Sequence, residues 1–183
     1  MSTSGRTVAL GLGNSVVSDD GVGLAVASEL KRLLAEAPVR GVDVLASTRA
    51  GFELIDILRG YVRAIIVDCV VLPDPQPGRV CRLTLDDVSG CARLVNVHEM
   101  SVGTAFRLAD RMGIPMPGEV EIIAVEAADA STIAESLTPA VQATVGPLAR
   151  EIYDRLKQNE PATDPLDTED FRNRRASYSP GIE

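Results

Sequence analysis

The sequence has no run of lysine or arginine to set against its formal net charge of −8. A surface of that sign repels a phosphate backbone, which excludes nucleic acid as the expected ligand and suits a cationic or metal-bearing partner better. Cysteine is scarce, and Cys69, Cys81 and Cys91 are odd in number with no Cys-x-x-Cys pair among them. That spacing supports neither a disulfide framework nor a structural zinc site, and it suits a reducing cytosol. No apolar run approaches the roughly 20 residues that cross a bilayer. The opening MSTSGRTVALGLG reaches a Gly-rich turn before it has built a signal-length apolar core. The expectation is a soluble, cytoplasmic protein with no membrane association. There is no internal repeat and no G-x-S-x-G elbow. With one histidine in the chain, His98, any Ser-His-Asp or Cys-His arrangement would have to use it.

What is present reads as one domain. A chain of 183 residues with 45% hydrophobic content can bury one substantial core. Thr7 to Leu12 is a short apolar run that ends at Gly13-Asn14, the pattern of a buried strand feeding a turn. A helix follows, with Val22, Val26, Leu30 and Leu33 on one face and Asp19 or Asp20 available as its cap. Val42 to Leu45 reads as a second strand and Gly51 to Leu58 as a short helix ended by Gly60. VRAIIVDCVV, from Val62 to Val71, is continuously apolar apart from Arg63 and Asp68, as a central strand covered on both faces would be. After a Pro-rich loop, Arg79 to Leu85 forms a further strand, and the stretch from Pro73 to Arg82 has the look of a hairpin that adds an antiparallel member.

Helical spacing returns at Val102, Ala105, Phe106, Ala109 and Met112, a strand is expected over Glu119 to Val125, and Thr138-Pro139 opens a last helix. Pro147 should kink or break that helix. The alternation predicts an α/β three-layer sandwich, a twisted and mostly parallel sheet flanked by helices on both faces, over residues 1–157. From 158 to 183 the chain is polar with scattered proline and reads as a disordered tail.

Open α/β sheets bind ligands outside the carboxyl ends of their strands. Two acidic features fall there. Asp19-Asp20 follows the first strand, and one of the two suffices as a helix cap. Asp68 interrupts the most apolar strand, where a carboxylate is costly unless it is hydrogen-bonded, paired or used as a ligand. His98, in VNVHEMSV, precedes a helix, with Glu99 beside it to orient the ring or cap that helix. The ordinary readings are a cap for the acid pair, backbone satisfaction for Asp68 and a structural or exposed role for His98. Taken together, one acid of the Asp19-Asp20 pair, Asp68 and His98 would form a three-ligand set with open positions on a divalent metal, and such ligands do not choose between nickel and zinc. Cys69 points to the opposite face from Asp68 and is most simply a core residue.

The string GLGNSVVSDDGVG resembles the opening signature of the hydrogenase maturation endopeptidases. The resemblance continues in order through IIVDCV, PGRV, VHEM and LTPAV and covers roughly Val8 to Leu156. It implies a twisted sheet between helices and cleavage of one peptide bond near the C-terminus of a hydrogenase large-subunit precursor. It also implies that Asp20, Asp68 and His98 are the metal-contacting and catalytic positions, that the nickel is carried by the precursor, and that no organic cofactor is needed. One departure stands out: where the family usually carries an acid followed by Gly and Thr, this chain reads LASTRAG, with Ala46 and Ser47 at the acid and glycine positions.

Two rivals remain. A peptidyl-tRNA hydrolase also opens with a GLGN turn, but it would need an early histidine and a basic surface, and this chain has neither. A non-catalytic, metal-sensing adaptor of the same fold would keep the ligands and lose the cleavage, and Ala46 is compatible with it. A dinucleotide site is disfavoured, since the glycines lack the G-x-G-x-x-G spacing and Asp19-Asp20 would repel a pyrophosphate.

Overall fold

The computed structural model describes residues 5–48, 51–88, 102–158 and 168–176. Its strands are β1 (Thr7–Leu12), β2 (Val42–Ser47), β3 (Arg63–Val70), β4 (Val80–Leu83) and β5 (Glu119–Glu126). Its helices are α1 (Val22–Glu36), α2 (Glu53–Leu58), α3 (Leu85–Val88), α4 (Val102–Arg111), α5 (Pro139–Gln158) and α6 (Thr168–Ala176), with a single 3-10 turn at Ser18–Gly21. The strands form one sheet in the order β2-β1-β3-β5-β4. All neighbours are parallel except β4, which runs antiparallel to β5.

Alternation along the strands sorts the core into two layers. One face carries Leu10, Ile66 and Ile122 against Leu54 and Leu58 of α2 and Ala105 and Ala109 of α4. The other carries Ala9, Ile65, Val67 and Ile123 against Val26 and Leu30 of α1 and Leu148 and Ile152 of α5. Every residue of β3 is buried, as a strand covered on both faces requires. Each fully buried Leu or Ile contributes about 1.5–3 kcal/mol over exposure, so these two layers supply most of the stabilisation. The three-layer α/β architecture agrees with the sequence reading.

Three details differ from it. β4 is the extra antiparallel strand, but it pairs with β5 rather than folding back on β3, so no hairpin forms. The loop ahead of it turns at Gly78, whose backbone N–H donates to Glu126 O at 2.8 Å and so ties the loop to the end of β5. Of the kink or break expected at Pro147, the break does not occur, since α5 runs through it as one helix. The disordered tail is not what residues 168–176 form. They make α6, which has Phe171 buried in the core and Arg174 ion-paired to the fully buried Glu126 at 2.8 Å. One aromatic anchor and three long-range ion pairs, Arg79–Asp170, Arg172–Asp87 and Arg174–Glu126, order a segment whose composition gave no local reason for order.

Candidate active site

The strand order places a topological switch point between β1 and β3, because α1 leaves β1 on one face while α2 and α4 cover the other. The β1–β3 ladder stops at Gly11 opposite Val67, one residue short of Asp68. The glycines of GLGNSVVSDDGVG let the following turn settle into that notch. Gly13 has φ +146°, and a Cβ there would stand 1.9 Å from Asp20 O. At Gly23 a Cβ would meet Leu12 O at 2.2 Å and Val67 O at 2.4 Å, so α1 starts in backbone contact with both strands. Asn14 closes the turn: its N–H donates to Asp20 O (3.1 Å) and its Oδ1 accepts from Val16 N–H (3.1 Å).

The two acids of the turn have different tasks. Neither caps α1, which has Gly21 at its N-cap and no side-chain capping bond. Asp19, fully buried, accepts from Ala128 N–H (2.9 Å), Asp129 N–H (3.0 Å), Thr138 N–H (2.7 Å) and Thr138 Oγ1–H (3.0 Å). It thus ties the turn to the β5–α5 loop and to the residue that begins α5. Asp20, only 2% exposed, has no hydrogen-bond partner for Oδ1 among the described residues. Burial pushes its pKa up to about 6.

Asp68 sits on β3 opposite Ala124 of β5, buried, with Oδ1 accepting from Cys69 N–H at 2.8 Å. Burial pushes its pKa up to about 7; the Cys69 amide acts against the rise and the charge on Asp20 adds to it. The turn therefore brings Asp20 and Asp68 within electrostatic reach of each other. Cys69 faces the other layer, and burial raises its thiol far above the range of a nucleophile, in keeping with a core role. His98 lies outside the described residues.

Other buried acids are compensated. Glu121 takes two bonds from Arg155 (2.9 and 2.6 Å), Glu126 is paired with Arg174 and accepts from Gln76 N–H (2.7 Å), Asp87 with Arg172, and Asp19 has its four donors. Among the described residues no cation pairs with Asp20 or Asp68, and no third His, Cys, Asp or Glu completes a metal-binding group around them. Ala46, where the family signature has an acid, is exposed at the end of β2 opposite Gly11 and so belongs to the same edge. The division of labour between Asp19 and Asp20 could not be read locally, because the donors that claim Asp19 lie more than a hundred positions downstream.

Fold and site together define a doubly wound α/β protein whose candidate ligand position is a buried carboxylate pair at the switch point with no cation beside it among the described residues. The HycI family model, described as hydrogenase maturation protease, matches residues 24–155. Among solved structures, the hydrogenase maturating endopeptidase HybD from E. coli superposes with a TM-score of 0.70 at 20% identity, covering 88% of this chain and 98% of that one. The [NiFe] hydrogenase maturation protease HycI from Thermococcus kodakarensis KOD1 gives 0.61 at 19% identity over 83% and 92%. The hydrogenase 2 maturation peptidase from Thaumarchaeota archaeon SCGC_AB-539-E09 gives 0.57 at 26% identity over 82% and 97%. No curated protein gives a significant sequence match. The chain belongs to the hydrogenase maturation protease family and is a peptidase.

Proposed function

We propose that this peptidase removes the C-terminal extension of a nickel-loaded [NiFe]-hydrogenase large-subunit precursor in the cytoplasm, and that Asp20, Asp68 and His98 contact the nickel the precursor carries. The observation behind this is the contrast between Asp20 and Asp68 and the satisfied acids around them. Two buried carboxylates without a cation among the described residues, one with an unpartnered oxygen there, carry a cost that an incoming metal would remove. An incomplete ligand set suits a metal already held by cysteines of the substrate, and it makes recognition depend on the metal being present. Metal-free precursor would offer nothing to offset the buried charge.

Intact mass spectrometry of nickel-loaded precursor incubated with the protein tests this directly. Loss of a C-terminal peptide is expected with the unsubstituted chain and not with Asp20→Asn or His98→Ala. Normal processing by both variants would sink the site assignment. The exposed Ala46 at the same edge keeps one alternative, a metal-sensing adaptor, which would hold the precursor and leave its mass unchanged.

A further inference from the structure

We infer that Asp19 is a positioning residue for Asp20, acting through Thr138 and the loop that joins β5 to α5. The inference rests on the reading above, in which Asp20 meets the metal of the precursor. Its own basis is the distribution of hydrogen bonds in the turn Ser18–Gly21. Ser18 N–H donates to Thr132 O (3.2 Å), Ser18 Oγ–H to Ser136 O (3.3 Å) and Asp19 N–H to Asp129 O (2.9 Å). The Asp19 carboxylate then accepts its four bonds from the same loop. On the other side, Asp20 O accepts from Asn14 N–H. The backbone carrying Asp20 is therefore fixed from both sides, while its Oδ1 has no bond among the described residues.

Such an arrangement has a specific use. Asp20 Oδ1, with no hydrogen bond among the described residues, keeps both its lone pairs for a metal brought in by another protein. Its direction has to be set by its neighbour. Asp19 does this with a buried, charge-assisted cluster of donors, which gives shorter and stronger bonds than neutral pairs. Thr138 is the member of that cluster best suited to a test. Its hydroxyl donates to Asp19 and makes no other bond among the described residues, and it is only half-buried. Valine at 138 keeps the shape and the backbone N–H and removes the hydroxyl alone.

The experiment compares processing of nickel-loaded precursor by the unsubstituted protein, Thr138→Val, Thr138→Ser and Asp19→Asn, with the melting temperature of each. Loss of groups that orient a metal ligand costs about 10-fold or more in affinity or activity. Thr138→Val is therefore expected to lower kcat/KM by about 10-fold with its melting temperature near that of the parent, Thr138→Ser to restore the rate, and Asp19→Asn to lose more than either. Parental rates for Thr138→Val and Asp19→Asn would overturn the inference, leaving Asp19 a purely structural clamp, and so would a loss in Thr138→Val that serine does not rescue. If the unsubstituted protein itself leaves the precursor intact, the proposed function falls and takes the inference with it. Failure of the inference alone shows only in the variants.

Discussion

The cost of keeping Asp20 and Asp68 uncompensated should be visible as stability. Both carboxyls hold their proton more tightly in the folded chain, at about 6 and about 7, than in the unfolded chain, where aspartate titrates near about 3.9. The stability tied to the protonated forms is full below about pH 4 and is lost as the pH rises through about 6 to 7. Asn at position 20 cannot ionise and escapes that loss. Asp20→Asn is expected to match the parent at about pH 4 and to exceed it at about pH 8 by on the order of 2 kcal/mol, while losing the ability to process precursor. Thermal denaturation at the two pH values checks this. A variant less stable than the parent at about pH 8 would mean that the Asp20 charge is satisfied in the folded protein after all. Asp68→Asn is a less clean probe, because Oδ1 already accepts the Cys69 amide.

At the scale of elements, α6 is where the polar tail departs from its composition. Phe171 is 1% exposed and stands in the layer formed with α2 and α4. Arg172 and Arg174 neutralise Asp87 and Glu126, each of which is buried. Phe171→Ala is expected to cost about 3 kcal/mol, as large-to-small core changes do. Arg174→Ala is expected to cost a similar amount, about 3 kcal/mol, because it strands the charge of Glu126. Urea denaturation measures both, and no change in either would return the segment to a disordered tail.

The elements that were legible in the sequence are those whose signal is local. VRAIIVDCVV announces a doubly covered strand by its own run of apolar residues, and α1 by its spacing of Val22, Val26, Leu30 and Leu33. β4 is legible as a strand and as the antiparallel member, but its partner β5 is not, because pairing across the sheet is decided by residues about forty positions away. α6 was missed for the same reason: its one large apolar residue is Phe171, and the carboxylates that call for its arginines lie on β5 and α3. Of the site, the structure brings Asp20 and Asp68 to one edge of the sheet, whereas the separate duty of Asp19 is hidden in contacts the linear order does not show.

For the molecule as a whole, the proposed site predicts that fold and function respond to pH in opposite senses. A metal is met by ionised carboxylates, so processing should rise as Asp20 and Asp68 lose their protons, whereas ionisation of these two groups lowers stability. The expected profile of kcat/KM climbs between about pH 5 and about pH 7 and levels off above that, reporting the free enzyme. A rate independent of pH across that range would separate catalysis from the carboxylate pair.

The Asp19 clamp has a bearing on the order of synthesis. Its donors, Ala128, Asp129 and Thr138, are more than a hundred residues further along the chain, and α5 begins only at Pro139. A ribosome that has made the whole GLGNSVVSDDGVG signature and Asp68 has made Asn14, which holds Asp20 O from one side, but not the loop that clamps Asp19 on the other. Growing chains and prematurely ended ones would thus carry both carboxylates but no aligned site, and the newborn peptidase would stay silent until its final third emerges.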